Sequence, residues 1–408
     1  MKYGIKDKPP FGQLVLFSLQ MMLSCFTATA LIGQICNVPL SGAFVGSGLA
    51  TIVYLITTKF ESSMYISNSG AFVSPVLIAL QLGGAIAVAV GGAIACIVYC
   101  IFGFIFMKID ANHIYKVLPK VLIGSITVVI GITLMSFIPS YIGDTGNVGM
   151  FIALITVLTI AFVSHYCKGA LALFPFLIGT LVGYVVSIPF GLVDFSVFEG
   201  ISLFTLPDFG FFHWTNIDVS ILPNIIVLFV AFTVSAICEC LSDHAVLGNI
   251  IGIDLYRKPG LGRIFIGEGL ANLVGASSGQ LAQCSYGESL STIGFSKCGS
   301  VYSTLGCALF MIALGFIEPV QAFVASIPSC VIGGGTAMVL YGFIANSGIR
   351  TLQSVDFSNQ KNLIISSVVM SLGISGVVVG NDTFHLSGTA LALIVGIILN
   401  FVLKEKNN

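Results

Sequence analysis

A chain of 408 residues that is 56% hydrophobic and only 8% charged has too little polar surface to cover a water-soluble globule. Together with a mean hydropathy of +1.05, this composition excludes a soluble protein and predicts an integral membrane protein. The net charge of −1 offers no electrostatic footprint for nucleic acid, so no nucleic-acid partner is expected.

Apolar blocks recur along the chain at lengths of roughly 17 to 25 residues, which a helix needs to cross about 30 Å of hydrocarbon. We interpret them as helices, because only helices or closed barrels satisfy their own backbone in lipid, and barrel strands would alternate polar with apolar residues. With the weaker segments included, we predict an all-α polytopic protein with fourteen transmembrane spans. In chain order the predicted spans cover residues 11–32, 41–58, 64–80, 83–107, 118–138, 148–167, 170–187, 222–246, 262–276, 286–296, 300–316, 328–346, 362–379 and 387–403.

The placement of basic residues supports this count. With a cytoplasmic amino terminus, all sixteen Lys and Arg residues fall at cytoplasmic ends or loops, as the positive-inside rule requires. Removing any one span would break this partition further along the chain, so both termini are predicted to be cytoplasmic. The loops that are predicted to lie outside carry only acids, namely Asp144, Asp194, Glu199, Asp208, Asp218, Glu318 and Asp382.

The longest polar stretch, residues 188–221, divides the fourteen spans into seven and seven. We predict a first repeat over 1–187, an external connector over 188–221 and a second repeat over 222–408. Because each half has an odd number of spans, the second half enters the bilayer from the opposite side. The two repeats must therefore be inverted, which is typical of secondary transporters.

Two spans at corresponding positions in the two halves share an unusually polar composition. The third span reads MYISNSGAFVSPVLIAL, and the tenth lies within SSGQLAQCSYGESLSTIG. Both are short, rich in Ser and Gly, and too polar for a helix that faces lipid. A matched pair of interrupted segments points to a binding site near the middle of the membrane. The alternative is that one or both are re-entrant loops or poorly packed helices without a ligand.

Three acids fall well inside predicted spans: Glu239 and Asp243 in the eighth, and Glu288 in the tenth. Each costs roughly 2.5 to 3.5 kcal/mol at a helix centre, so such residues persist mainly where they face a cavity and serve a function. Glu239 and Asp243 are four residues apart, on one helix face, and one of the two is expected to hold a proton. No Lys or Arg in the spans can neutralise them, so the sequence predicts proton coupling. Alternatively, the acids cap broken helices.

Other reactive side chains have plainer interpretations. His244 follows Asp243 but lies on a different helix face, and Glu268 is expected to be a structural acid that bonds loop backbone. The eleven Cys residues are interpreted as small buried apolar residues, without paired metal-like spacing. No metal or other cofactor is therefore expected, apart from a proton gradient as the driving force.

At this point the residues resemble a known family, the nucleobase–ascorbate transporters, and within it the bacterial uracil and xanthine permeases. The segment ICECLSDHAVLGNIIGIDLYRKPGLGRIFIGEGLANLVG is similar to the eighth and ninth spans of the uracil permease branch. SYGESLS resembles its tenth-span motif, and SIPSCVIGGGTAMVLYGFIANSGIR resembles its twelfth span. The similarity extends over nearly the whole chain.

The resemblance implies a fold and a set of residue roles. Spans one to four and eight to eleven would form a core domain, the others a gate domain, and the third and tenth spans would contribute paired short strands. Glu239 and Glu288 would accept hydrogen bonds from the N–H groups of a base, and Asp243, with Glu239, would take part in proton coupling. Backbone donors for the carbonyl groups of the base would come from Gly287, Ser289 and a facing strand at Gly70–Ala71.

Some positions depart from the pattern of the uracil permeases. Gly70 replaces an aromatic residue that stacks on the base in relatives, and Phe72, two residues on, is included among the predicted substrate contacts. Met21 replaces a His of the first span, and Ser289 replaces an Asn. Further departures follow Glu288, where Ser291 replaces a Gly, and Ser296 and Lys297 replace Thr and Arg. These changes put uracil specificity in doubt, because Gly70 would enlarge the pocket or leave the base unstacked.

We therefore predict a proton-coupled nucleobase symporter of the bacterial cytoplasmic membrane, importing uracil or a related base. Its partners would be the nucleobase, protons and lipid, and a homodimer is left open. One alternative is a xanthine permease of the same family. Another is an anion carrier of the related sulfate type, which three cavity acids disfavour. An enzyme is not expected, because the sequence lacks a catalytic or metal-binding motif.

Overall fold

The protein is predominantly helical. Most of the predicted cytoplasmic loop 108–120, the acids Asp144 and Asp382, and the lysines Lys404 and Lys406 lie outside the described residues. A computed structural model describes the chain except for residues 69, 109–115, 117–118, 137, 144, 169–170, 172–174, 378, 382–383, 387 and 404–408.

Each predicted span overlaps one of the helices. In chain order, the first half forms α1 (Phe11–Ile35), α2 (Leu40–Thr57), β1 (Ile66–Asn68), α3 (Val73–Lys108), α4 (Lys120–Met135), α5 (Ile138–Gly143), α6 (Gly146–Tyr166) and α7 (Pro175–Ser187). The second half forms α8 (Leu222–Ile251), α9 (Leu261–Gly279), β2 (Gln283–Ser285), α10 (Gly287–Ser296), α11 (Val301–Leu314), α12 (Glu318–Ala325), α13 (Ala337–Leu352), α14 (Gln360–Ile374), β3 (Val379–Asn381), β4 (Phe384–Leu386) and α15 (Gly388–Val402).

The predicted third and fourth spans both fall on α3, which is bent at Gly84. This residue has φ 66° and ψ −155°, a backbone conformation outside the helical region. Glycine reaches it without a steric penalty from Cβ, whereas other residues rarely do. The bend lies one residue beyond the start predicted for the fourth span.

Within the described part of the chain, five helices are long and apolar enough to cross a membrane, judged by length and composition. A sixth crossing results if α12 and the helical segment Cys330–Val339 form one span; the two are bent by 73° at a short break. The described chain also has shorter apolar helices of 10–17 residues, which include α11 and parts of α4 and α15. An integral membrane protein follows from these elements, whereas the count of fourteen spans remains a prediction.

The helices pack into two groups. In the first group α9 packs on α2 and α3, α11 packs on α1 and α2, and α3 packs on α8. In the second group α4 packs on α13 and α14, α6 packs on α7, and α14 packs on α15. Glycines allow close approach within the first group. A Cβ at Gly48 of α2 would lie 2.6 Å from the carbonyl oxygen of Ala308 in α11.

One end of the first group gathers basic residues and the amino terminus. The carboxylate of Glu61, in the turn after α2, lies 3.3 Å from Nζ of Lys6 and 3.7 Å from Nζ of Lys258. Tyr3 forms a parallel bridge with Cys298, in the turn after α10. These contacts bring four segments together at one end of the bundle, and the sequence predicts that all four are cytoplasmic.

The opposite end gathers the connector and the turn after α11. Phe204 forms an antiparallel bridge with Ile317, and the backbone N–H of Ser202 donates to Glu318 at 2.9 Å. The backbone N–H of Asp208 donates to Oγ of Ser41, at the start of α2, at 3.0 Å. All these segments are predicted to lie outside, so the predicted inner and outer residues lie at separate ends.

Candidate functional site

Two three-residue strands meet inside the first helix group. Strands β1 and β2 pair antiparallel, with Ile66 opposite Ser285, Ser67 opposite Cys284 and Asn68 opposite Gln283. All six residues are buried. They lie in the segments that the sequence marks as interrupted spans, so each of these segments contains a buried strand in place of a continuous helix.

Each strand is held by one side chain from a neighbouring helix. Thr51 of α2 donates to the carbonyl oxygen of Ile66 at 2.7 Å and accepts from its N–H at 3.0 Å. Asn272 of α9 donates to the carbonyl oxygen of Gln283 at 2.6 Å and accepts from its N–H at 3.0 Å. The two halves therefore use the same device, which satisfies strand backbone groups that would otherwise be unpaired in the interior.

The chain becomes accessible where β2 ends and α10 begins. Residues from Leu281 to Tyr286 are buried, whereas Gly287 is exposed and Glu288 is partly exposed. A Cβ at Gly287 would meet nothing within 4 Å, so open space adjoins this position. The first amides of a helix lack partners within the helix and carry partial positive charge, so this opening can accept a polar ligand.

Not every predicted backbone donor is available at this opening. Ser289 donates both its backbone N–H, at 3.0 Å, and its hydroxyl, at 2.7 Å, to the carbonyl oxygen of Tyr286. The carboxylate of Glu288 lies beside its own backbone N–H in the first turn of α10. Among the described residues, no hydrogen bond uses the N–H of Gly287, which leaves it as the available donor.

The segment from Gly70 to Phe72 differs from the prediction. It forms one turn of 3₁₀ helix that leads into α3, and not a strand that faces the tenth span. The ladder ends at Asn68, whose side-chain oxygen accepts from Nε2 of Gln283 at 2.8 Å. Phe72 is buried and stacks on Phe229 of α8, with ring centroids 6.1 Å apart, so its ring packs within the helix group. The side chain of Ala71 is outside the described set.

The acids of α8 lie next to β2. Asp243 is only 7% exposed, while Glu239, one turn earlier, is partly exposed. Asp243 interacts electrostatically with Glu239, Glu268 and Glu288, so four carboxylates share one region. Asp243, Glu268 and Glu288 take part in none of the ion pairs of the described residues.

Glu268 is the member of this group that the sequence left as a structural residue. It is 0% exposed in α9, and neither of its carboxylate oxygens has a hydrogen-bond partner of good geometry. Ser285 lies beside the carboxylates of both Glu268 and Asp243, without completing a hydrogen bond to Oδ2 of Asp243. The motif GEGLANLVG around Glu268 does not indicate this contact, because Ser285 belongs to another element.

His244 is buried in α8, next to α2. Its Nε2 lies 2.6 Å from the hydroxyl of Tyr54 in α2, and its Nδ1 lies 2.7 Å from the carbonyl oxygen of Cys240. Ligand atoms of Cys240, His244 and Glu268 lie within 4.8 Å of one another. A metal ion could bind there only if His244 gave up one of these bonds, so we interpret the group as a hydrogen-bonded cluster.

Comparisons with known proteins follow the sequence over nearly its whole length. A family model described as "Permease family" matches residues 12–381. A uracil permease of Bacillus caldolyticus is 34% identical over 407 residues, which cover 98% of this chain and 94% of that protein. A uracil permease of Escherichia coli K12 is 33% identical over 413 residues, which also cover 98% of this chain and 94% of that protein.

Solved structures show the same fold. The transmembrane domain of a cyanobacterial bicarbonate transporter, BicA, superposes with a TM-score of 0.64 at 16% identity, covering 97% of this chain and 99% of that one. The structure of SLC26A9 superposes with a TM-score of 0.70 at 13% identity, covering 95% of this chain and 64% of that one. At such identities the likeness concerns the fold alone.

Proposed function

Because the chain belongs to the permease family, and is therefore a transporter and not an enzyme, we propose that it imports uracil or a closely related nucleobase together with a proton. The proposed substrate rests on the similarity to uracil permeases, at 34% and 33% identity over nearly the whole chain. The membrane would be the bacterial cytoplasmic membrane.

The opening next to α10 suits a small uncharged base. Uracil presents N–H donors and carbonyl acceptors around one ring. The ionised carboxylates of Glu239 and Glu288 can only accept, and the N–H of Gly287 can only donate, so together they complement both kinds of group. With Gly70 in place of a stacking aromatic residue, a larger purine base such as xanthine is the second candidate.

An anion is disfavoured despite the fold. BicA is a bicarbonate transporter by name, and it shares this architecture. The start of α10 could attract an anion through its helix dipole, but the carboxylate of Glu288 lies there. Together with Glu239, Asp243 and Glu268 it would repel a negatively charged substrate, and no ion pair of the described residues neutralises Asp243, Glu268 or Glu288.

The two helix groups suggest how the substrate crosses. The first group, which holds β1, β2 and the acids, would be the core domain, and the second group would be the gate domain. Asp243 and Glu239 lie on α8, which also contacts α4, α15 and β4 of the second group. The site would therefore lie beside the boundary between the domains, where relative movement can expose it to either side.

Competition for uptake tests the substrate. In bacterial cells that lack their own nucleobase carriers, we expect unlabelled uracil to suppress uptake of labelled uracil more strongly than thymine, xanthine, hypoxanthine, urate or ascorbate. Cells with the empty vector provide the background. Uptake of labelled xanthine that uracil does not suppress would assign the chain to the purine alternative, and no uptake of any base would reject the proposal.

Two serines in matching turns test the orientation. Ser196 in the connector and Ser358 after α13 are both exposed, and each donates its N–H and its hydroxyl to the Asp two residues before it. We expect an impermeant thiol reagent to label Ser196→Cys from outside the cell, and Ser358→Cys only after the membrane is opened. The unmutated chain reports on labelling of native cysteines. The reverse pattern would invert the topology.

A further inference from the structure

A row of buried hydrogen bonds connects the acid cluster with one end of the bundle. It begins at His244, whose Nε2 lies 2.6 Å from the hydroxyl of Tyr54. The hydroxyl of Tyr54 lies 2.9 Å from Oγ of Ser62. All three residues are 0% exposed. Ser62 directly follows Glu61, a partly exposed residue whose carboxylate pairs with Lys6 at one end of the bundle.

This row keeps all its hydrogen bonds in two protonation states. The carbonyl oxygen of Cys240 can only accept, so Nδ1 of His244 carries a proton in both states. In the structure Tyr54 donates to Ser62 at 2.9 Å. With a neutral ring, Tyr54 turns to donate to Nε2 instead, and the hydroxyl of Ser62 turns to donate to the oxygen of Tyr54. With a charged ring, Nε2 donates to Tyr54, which donates to Ser62. Adding a proton therefore reverses two hydroxyl groups and turns the hydroxyl hydrogen of Ser62 away from Tyr54.

Glu268 can act as the counter-charge. One of its carboxylate oxygens lies within 4.8 Å of a ring nitrogen of His244, and neither oxygen has a hydrogen-bond partner of good geometry, although Ser285 and Cys240 lie beside them. The titratable groups around His244 are Tyr54 from α2, Glu268 from α9, and Cys240 and Asp243 from its own helix. A buried carboxylate needs a cationic partner, and a protonated His244 would supply one. A proton that moves from Glu268 to His244 separates charge without changing the net charge.

We propose that His244, Tyr54 and Ser62 form a proton path between the buried carboxylates and the end of the bundle that carries Glu61. The inference rests on the proposed proton coupling. As Tyr54 turns toward Ser62 and leaves Nε2 of His244 without a donor, the protonated carboxyl of Glu268 swings toward the ring and gives its proton to Nε2. His244 then passes its Nε2 proton to Tyr54 while Tyr54 passes its own to Ser62, and Ser62 releases its proton to water. One proton leaves the acid and one reaches solvent.

The test separates proton movement from base movement in proteoliposomes that contain a pH-sensitive dye. Tyr54→Phe removes the hydroxyl and keeps the ring that packs against Gly267. We expect proton influx driven by uracil to fall by about tenfold or more, as loss of a proton-transfer group does in other systems. Counterflow exchange of labelled uracil, which needs no net proton movement, should stay within about twofold of the parent.

Ser62→Ala should give the same pattern, and the double variant should add little, because both changes interrupt one row. The matched control is Tyr184→Phe, which removes a buried tyrosine hydroxyl that accepts from Ser326 at 3.1 Å in the second helix group. Its proton influx should equal that of the parent.

Three outcomes would overturn the proposal. Unchanged proton influx in Tyr54→Phe would reject the path and leave the proposed symport intact. A parallel loss of influx and counterflow would show that Tyr54 is structural. No uracil-driven proton influx in the parent would reject proton coupling itself, and the path with it.

Discussion

Replacing Glu288 or Glu239 by Gln is expected to abolish uracil uptake while the protein still inserts and accumulates in the membrane. Of the four neighbouring carboxylates, these two are partly exposed, whereas Asp243 and Glu268 are buried. Glu239 and Glu288 are therefore the carboxylates that a ligand at the opening can reach. A carboxylate accepts from the N–H groups of a base, whereas the amide of Gln turns a donor toward them. A lost hydrogen bond to a charged group is worth about 1.5–3 kcal/mol, so affinity should fall roughly 10- to 150-fold.

Uptake of labelled uracil and its binding to purified protein measure this effect. Glu199→Gln is the matched control, because Glu199 is an exposed acid of the connector, far along the chain from the opening. It should transport like the parent. Near-normal uptake in both Glu288→Gln and Glu239→Gln, at equal protein levels, would mean that these acids only cap or support the helices around them.

Much of the architecture could be predicted from local composition. The polar, Ser- and Gly-rich segments around Ser67 and Ser285 indicated that the third and tenth spans are interrupted, because polar backbone at membrane depth must be buried in protein. The bend at Gly84 lies close to the predicted boundary between the third and fourth spans. A Gly within an apolar run marks a place where the chain can turn, because it adopts a positive φ without a steric penalty.

Contacts between distant segments could not be predicted in this way. Tyr54 and His244 are 190 residues apart, and nothing in the apolar stretch around Tyr54 indicates which face of α2 meets α8. Glu268 looked like an acid at the edge of a loop, because its partners in β2 and α8 are brought together only by the tertiary fold. The end of β1 at Asn68 could not be predicted either, because its partner in the ladder, Gln283, lies in the other half of the chain.

Asp243→Asn is expected to uncouple the transporter and leave base binding in place. Asp243 lies one helical turn from Glu239, about 6 Å along the axis, and is 7% exposed beside Ser285. It is thus too enclosed to be the first contact of a base, yet it is close to the acids that would be. Asn has the shape of the protonated acid and cannot release a proton, so the variant would cycle with a fixed neutral group.

The result should be a separation of two activities. The parent is expected to accumulate uracil faster as external pH falls, and to lose accumulation with a protonophore, because the proton is a co-substrate. Asp243→Asn should bind uracil and exchange it in counterflow within about twofold of the parent, while accumulation against a gradient falls to background. Asp218→Asn, at an exposed acid that caps a turn of the connector, is the control and should behave like the parent.

Accumulation by Asp243→Asn with the same pH dependence as the parent would place the coupling proton elsewhere. Glu239 would then be the first candidate, because it shares the helix face and interacts with Asp243. Loss of binding as well as accumulation would instead show that Asp243 shapes the pocket. Only the loss of accumulation with retained exchange fits a residue that carries the proton, since an Asn at this position preserves the packing and removes the titration.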